Sequence, residues 1–271
     1  MASPVISSPD NPLIKEFARL ARSRKQRRAA GLVAVEGPNL LEQALAAGLV
    51  PAVVLFTPEY HAGKGRFLIE ALPGTVKRVT VTAKVFARLA ATETPQAVAA
   101  LVPYAEPSPD ELLDRPLTLA LLLDRLQDPG NMGTILRTAA AAGVEAVFYT
   151  PGSADPLSPK VLRSTAGALF HIPVARASDP LQLIMKLRGA GLQAAAAVPR
   201  AEQLYWSADF KRPTLLVIGN EKSGISPELS EAADCRLTIP QPASQDSLNA
   251  AVAAALLIYE ALRQRQHFSR G

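Results

Sequence analysis

Three polar, glycine-bearing segments each begin where an apolar run ends. They are DRLQDPGNMG at 124–133, GNEKSGIS at 219–226 and IPQPASQDSLN at 239–249. The first runs on into TILRTAAAAG and the third into the apolar stretch AAVAAALLIYEAL. Open parallel sheets hold their ligands beyond the carboxyl ends of the strands, so these are the segments placed to do chemistry. Each also has a plain architectural reading. Asp128-Pro129-Gly130-Asn131 suits a turn followed by a helix cap, Gly219-Asn220 a strand-end turn, and Ser247 an N-cap. Three such segments in one sheet point to a shared ligand site.

Several familiar chemistries are excluded. No G-x-G-x-x-G follows a strand, so a standard dinucleotide site has no support. Gly219 and Gly224 have the spacing that opens a phosphate loop, but Ile225-Ser226 follows and the lysine position is apolar. His171 and His267 lie outside the polar segments and His61 is remote, which leaves neither a Ser-His-Asp set nor metal-ligand spacing. With Cys235 as the one cysteine, an intrachain disulfide is impossible and a cysteine-based zinc site is disfavoured; no metal is expected.

The elements that must position these segments alternate. Pro12 suits a first helical turn capped by Asp10 or Asn11, and Leu13, Phe17 and Leu20 form one apolar stripe. The Arg-rich stretch 24–28 then leads into a strand at 32–35. A helix at 38–47 stops at Gly48; strands follow near 52–56, 76–82 and 97–102, with short helices near 65–72 and 83–90. This predicts a small α/β domain of about a hundred residues. Residues 103–116 are rich in proline and acid and read as a connection with room for a short helical turn, with boundaries at 1–104, 105–116 and 117–271. The near-continuous apolar run 117–124 suits a parallel strand covered on both faces. Further strands are predicted at 145–150, 192–198, 214–219 and 235–240. Helices fit at 132–142, 159–167, 179–190, 226–233 and 247–265, an alternation that argues for a parallel sheet with crossovers. The last helix is apolar all round from Ala250 to Ile258 and needs cover on all sides, from the sheet and from a partner subunit.

Charge is concentrated rather than spread. The chain of 271 residues carries +5 overall. Residues 15–28 hold Lys15, Arg19, Arg22, Arg24, Lys25, Arg27 and Arg28 against Glu16, seven basic to one acidic, which is +6; the remainder nets −1. One short segment is therefore a basic handle suited to a polyanion. No 18-residue apolar span and no basic-then-apolar leader pattern is present, so a soluble cytoplasmic protein is expected.

Taken together the three segments resemble the SpoU (TrmH-type) branch of the SPOUT RNA methyltransferases. Asp128-Pro129-Gly130-Asn131-x-Gly133-x3-Arg137-Thr138-Ala139-x3-Gly143 matches the first motif, Gly219-Asn220-Glu221-x2-Gly224 the second, and Ile239-Pro240 with Ser247-Leu248-Asn249 the third. Ser8-x2-Asn11-Pro12-x-Ile14-Lys15, Arg27 and Val35-Glu36-Gly37 are similar to the ribosomal-protein-like RNA-binding domain found in the same family. Two positions depart: Ala243 and Ala97 stand where glycine is usual.

The resemblance implies an α/β protein with a parallel-sheet catalytic domain carrying a trefoil knot and working as a homodimer. It implies transfer of a methyl group from S-adenosylmethionine to a ribose 2′-hydroxyl, most readily in ribosomal RNA. Gly219, Asn220, Glu221, Ile239, Pro240, Leu248 and Asn249 would hold the cofactor. Arg137, Asn131, Glu221, Ser247 and Asn249 would serve catalysis. An arginine stays protonated at nearly any pH in proteins, so Arg137 suits clamping an RNA phosphate and stabilising a developing alkoxide better than acting as a base. Lys15, Arg19, Arg22, Arg24, Lys25, Arg27 and Arg28, with Arg137, would contact RNA. The alternatives are a noncatalytic RNA-binding ribosome-assembly factor with a decayed cofactor site, a transfer-RNA 2′-O-methyltransferase, and an enzyme methylating a base nitrogen.

Overall fold

The computed structural model describes residues 5–89, 95–242 and 248–265. Two compact units form, one from residues 1–105 with 157–170, the other from 106–156 with 171–271.

The first unit begins with α1 (Pro12–Arg22), whose Ile14, Phe17 and Leu20 are buried. Asn11, not Asp10, is the N-cap: its Oδ1 accepts from Leu13 N at 2.9 Å. The Arg-rich stretch forms α2 (Arg24–Ala30), started by Ser23 and ended by Gly31 at φ 61°. No apolar period announces α2; its caps define it. There follow β1 (Leu32–Glu36), α3 (Pro38–Ala46), β2 (Val53–Phe56), α4 (Pro58–Ala62), α5 (Arg66–Ala71), β3 (Lys77–Thr80), α6 (Ala83–Leu89) and β4 (Val98–Pro103). The sheet order is β1-β4-β2-β3, with β4 antiparallel to both neighbours and β2 parallel to β3. Phe17, Leu20, Leu55, Phe86 and Leu101 form its core.

Within residues 106–116 the short helical turn forms as α7 (Pro109–Leu113), held by a capping box in which Ser108 and Glu111 bond each other's backbone. The Ser108 N–H holds the Glu111 carboxyl below its ordinary range. Leu112 is buried in the second unit's core.

The second unit continues with β5 (Leu119–Leu123), α8 (Pro129–Ala141) and β6 (Ala146–Tyr149). The segment 157–170, with α9 (Pro159–Thr165), groups with the first unit instead. Then come β7 (Val174–Arg176), α10 (Pro180–Gly189), β8 (Gln193–Ala197), β9 (Gln203–Leu204), β10 (Thr214–Ile218), α11 (Pro227–Ala232), β11 (Cys235–Thr238) and α12 (Ala250–Arg265). Seven strands pair in the order β7-β6-β5-β10-β8-β11-β9, all parallel. All five β5 residues are buried, as a strand covered on both faces requires. Leu183, Ile184 and Leu187 of α10 and Leu229 of α11 join one core cluster against the sheet, and α8 packs beside α12. Strand order reverses at β5, which has β6 on one side and β10 on the other; ligands collect at such switch points.

Many of the helix starts share one chemical feature. Proline opens α1, α3, α4, α7, α8, α9, α10 and α11, where its fixed φ is preorganised and its missing N–H costs nothing. The short elements α4, β7 and β9 carry too few residues for a period to show in sequence.

Ala97 occupies the left-handed region at φ 60°, where a Cβ crowds the following carbonyl. This is one of the two positions where the family pattern has glycine; the other, Ala243, lies outside the described residues. Ala97→Gly is expected to stabilise the first unit by about 1 kcal/mol, read as a raised chemical-denaturation midpoint with an unchanged slope.

Candidate functional site

The loops after β5, β10 and β11 are tied by side-chain amides and carboxylates. Asp128 caps α8, its Oδ1 accepting from Asn131 N at 2.7 Å. Glu221, in the loop after β10, reaches the same turn. Its Oε1 accepts from Asp128 N at 3.2 Å and Asn131 Nδ2 at 3.0 Å, and its Oε2 from Gln127 N at 3.4 Å. Asn131 then accepts at Oδ1 from Asn249 Nδ2 at 2.9 Å. Asn249 in turn caps α12, its Oδ1 taking Ala251 N at 2.9 Å and Val252 N at 3.2 Å. Asn131, Glu221 and Asn249 thus converge, although 90 and 118 residues separate Asn131 from the other two. Three donors occupy the Glu221 oxygens, so its carboxylate acts as a tether between loops and has little acceptor capacity left for a substrate proton.

The loop after β10 is shaped by its own first residues. Asn220 Nδ2 donates to Arg125 O at 2.7 Å, and its Oδ1 accepts from Lys222 N at 2.9 Å and Ser223 N at 3.1 Å. Asn220 and Gly224 exchange backbone hydrogen bonds at 3.0 Å, which closes the loop on itself. A Cβ on Gly219 would lie 2.2 Å from Ile225 N and 2.3 Å from the Gly224 carbonyl carbon, so only glycine fits there.

This loop walls a cleft of about 460 Å³, lined also by Ala197, Val198, Pro199, Ile218, Leu237, Ile239, Gln241, Leu248 and Ala253. The volume lies in the range of small-molecule sites, and the walls combine apolar side chains with the polar Asn220, Glu221 and Gln241. Such a lining suits a purine ring. Gly219, Asn220, Glu221, Ile239 and Leu248 all line it. Pro240 and Asn249 do not; Pro240 is exposed, and Asn249 faces a second cleft.

The second cleft, of about 770 Å³, is open and runs along α8 and α12 past Asn131, Thr134, Tyr205, Asn249, Val252, Leu256 and Tyr259. Val252, Leu256 and Tyr259 are exposed on α12. At its end Arg263 donates to both oxygens of Glu260 at 2.8 Å, and that fork holds the Glu260 carboxyl below its ordinary range.

Arg137 is placed differently from the other candidates. It lies on α8 six residues past Asn131, about 9 Å further along the axis, and is exposed. It makes no hydrogen bond or ion pair among the described residues and lines neither cleft. Ser247 lies outside the described residues.

The basic handle is not uniform. Lys15, Arg19 and Arg22 are exposed on α1, and Lys25 and Arg28 on α2; Lys15 pairs with Asp10 at 2.9 Å. Arg24 is half-buried. Arg27, expected to contact RNA, is 3% exposed. Its Nη1 donates to Leu20 O at 2.5 Å and Ala21 O at 3.0 Å, so it caps the open carbonyls at the end of α1. It is a structural residue, because a buried arginine cannot reach a phosphate.

One site residue carried no signal in the motifs. Asp124, at the end of β5, is nearly inaccessible and accepts from Thr150 Oγ1 at 3.1 Å and Ser226 N at 2.8 Å. The clue was a carboxylate closing an otherwise apolar strand.

A fully parallel sheet with a glycine-walled cleft at the carboxyl ends of β8, β10 and β11 defines an α/β domain suited to a nucleoside-like cofactor. The SpoU rRNA Methylase family matches residues 118–259, and the MRM3-like substrate binding domain matches residues 11–100. A Synechocystis protein described as an uncharacterized tRNA/rRNA methyltransferase is 38% identical, over 96% of this chain and 94% of its own length. The Bacillus subtilis 23S rRNA (guanosine(2553)-2′-O)-methyltransferase RlmP is 33% identical, over 94% and 97%. The crystal structure of the SpoU methyltransferase AviRb from Streptomyces viridochromogenes, in complex with the cofactor AdoMet, superposes with a TM-score of 0.83 at 30% identity, over 94% of this chain and 99% of that one. The chain belongs to the SpoU methylase family.

Proposed function

We propose that this protein methylates a ribose 2′-hydroxyl of ribosomal RNA, using S-adenosylmethionine, and does so in the cytoplasm. The observation that carries this reading is the tie of Glu221, Asn131 and Asn249 beside the glycine-walled cleft. The second support is kinship over nearly the whole chain with proteins named for 2′-O-methylation of 23S ribosomal RNA.

S-adenosylmethionine supplies an already activated methyl group on a sulfonium. The protein's task is then orientation of the hydroxyl and relief of the charge that develops as its proton leaves. Gly219, Ile239 and Leu248 hold the cofactor by backbone approach and apolar contact. Glu221 and Asn131 keep the β5 and β10 loops in register, and Asn249 couples them to the start of α12. Arg137 binds the RNA next to the reacting ribose and stabilises the alkoxide; its free donors suit that task. The proton passes to a phosphate oxygen or water, since the Glu221 oxygens are occupied. Arg137→Ala is expected to lower methyl transfer to a large-subunit ribosomal RNA transcript at least 100-fold while cofactor affinity by calorimetry stays within two-fold. Normal turnover would remove Arg137 from the mechanism.

The exposed part of the basic handle tracks RNA phosphates. Replacing Lys15, Arg19, Arg22, Lys25 and Arg28 by glutamine should weaken RNA binding and flatten its dependence on salt, with cofactor affinity unaltered. An unchanged salt dependence in a filter-binding titration would move the RNA surface elsewhere.

The working form is a homodimer, and the partner covers the α8–α12 cleft. Val252, Leu256 and Tyr259 are apolar, exposed and adjacent, which a partner surface remedies. Light scattering at micromolar concentration should return about twice the chain mass of 28.7 kDa. Leu256→Glu should return the single-chain mass. A trefoil knot near the C-terminal end of the catalytic domain belongs to the same reading, and an experimental chain trace of that domain decides it.

A further inference from the structure

Three non-glycine residues among those described have positive φ: Ala97, Arg125 at 51° and Ala166. Two are alanines, and Arg125 is the large one. The left-handed region is costly for a residue with a Cβ, and such strain persists where the surroundings over-determine it, most often at functional sites. At Arg125 they do. Its N–H donates to Thr150 Oγ1 at 2.8 Å, and its carbonyl accepts from Asn220 Nδ2 at 2.7 Å. Glycine or asparagine would hold this backbone with less strain, but neither carries a guanidinium.

The side chain is anchored, and its hydrogen-bonding capacity is unspent. Its stem passes over Gly152, where a Cβ would lie 3.6 Å from Arg125 Cγ. Its Nε is shielded and lies 3.4 Å from Asp124 Oδ2, close enough for an ion pair but without hydrogen-bond geometry. The Asp124 oxygens already accept from Thr150 and Ser226. No N–H of the guanidinium makes a hydrogen bond among the described residues, and the side chain is 40% exposed. A planar cation fixed at its base, with its donor fork open, at the end of β5, is built to take an oxyanion.

We infer that Arg125 is a phosphate-binding residue that grips the RNA backbone at the end of β5, a contact separate from the handle on α1 and α2. The identity of the anion rests on the reading of this site as an RNA methyltransferase. The strained backbone sets the direction from which the guanidinium meets the RNA.

The test uses the full chain with a large-subunit ribosomal RNA transcript. Arg125→Gly relieves the backbone and removes the charge; Arg125→Lys keeps the charge. The glycine variant should raise KM for RNA about ten-fold with kcat within about two-fold, and lower the salt dependence of RNA binding by about one phosphate contact. Cofactor affinity should stay unchanged, and the lysine variant should keep the wild-type salt dependence. If Arg125→Gly proves unfolded, Arg125→Gln reads the same loss. Wild-type RNA affinity and salt dependence in the glycine variant, with a lowered melting temperature, would overturn the inference, since that is the signature of an arginine that serves only to neutralise Asp124. Salt dependence is measured without turnover. A wild-type protein that binds the transcript but fails to methylate it would therefore defeat the proposed function while this test stays readable.

Discussion

A single carboxylate, that of Glu221, holds together the region where chemistry can occur. Loops that follow adjacent parallel strands have no reason of their own to stay in register, because the strand hydrogen bonds end where the loops begin. Glu221 crosses from the β10 loop and accepts from three donors in the β5 loop. The Asn131 amide passes the constraint on to Asn249, and Asn249 fixes the start of α12. Each hydrogen bond is worth about 1 kcal/mol net, and more when the acceptor is charged, so the tie is local and modest in energy. Its effect is geometric, since it sets the wall of the cofactor cleft and the first turn of the helix that carries Arg137.

Beneath this tie lies Asp124, the deeper of the two carboxylates. It joins the loop after β6, through Thr150, to the loop after β10, through Ser226. A buried charge needs such partners, because removing it from water is costly unless it is hydrogen-bonded. Arg125 beside it places a guanidinium nitrogen 3.4 Å from Asp124 Oδ2 and has a disfavoured backbone conformation. Polar satisfaction and backbone strain are therefore concentrated in the same few residues at the switch point of the sheet. The strands below are apolar and carry no comparable demands.

Much of this was legible in the chain. The parallel sheet, the order of its elements and the three loop segments follow from apolar runs interrupted by glycine, proline and amide residues. Gly219 was marked as special by position, and its reason is a backbone approach of about 2 Å to any added Cβ. What was not legible has physical causes. The helix α2 has no apolar stripe and exists through its caps. The residues 103–116 read as a linker with room for a helical turn, but that Leu112 would be buried in the second unit's core was not visible there. Arg27 looked like its neighbours because charge is visible in sequence and burial is not.

The sequence by itself determined the class of fold, the motifs, the location of the basic segment and the family, because these depend on residue type and spacing along the chain. Only the tertiary structure decided which of those residues meet. Asn131, Glu221 and Asn249 are brought within hydrogen-bond reach by a strand order that no local pattern encodes. The same folding withdraws Arg27 into the carbonyls of α1 and leaves Arg125 strained and open. Charge and polarity belong to the residue, whereas burial, backbone strain and free hydrogen-bonding capacity arise only from what folding places around it.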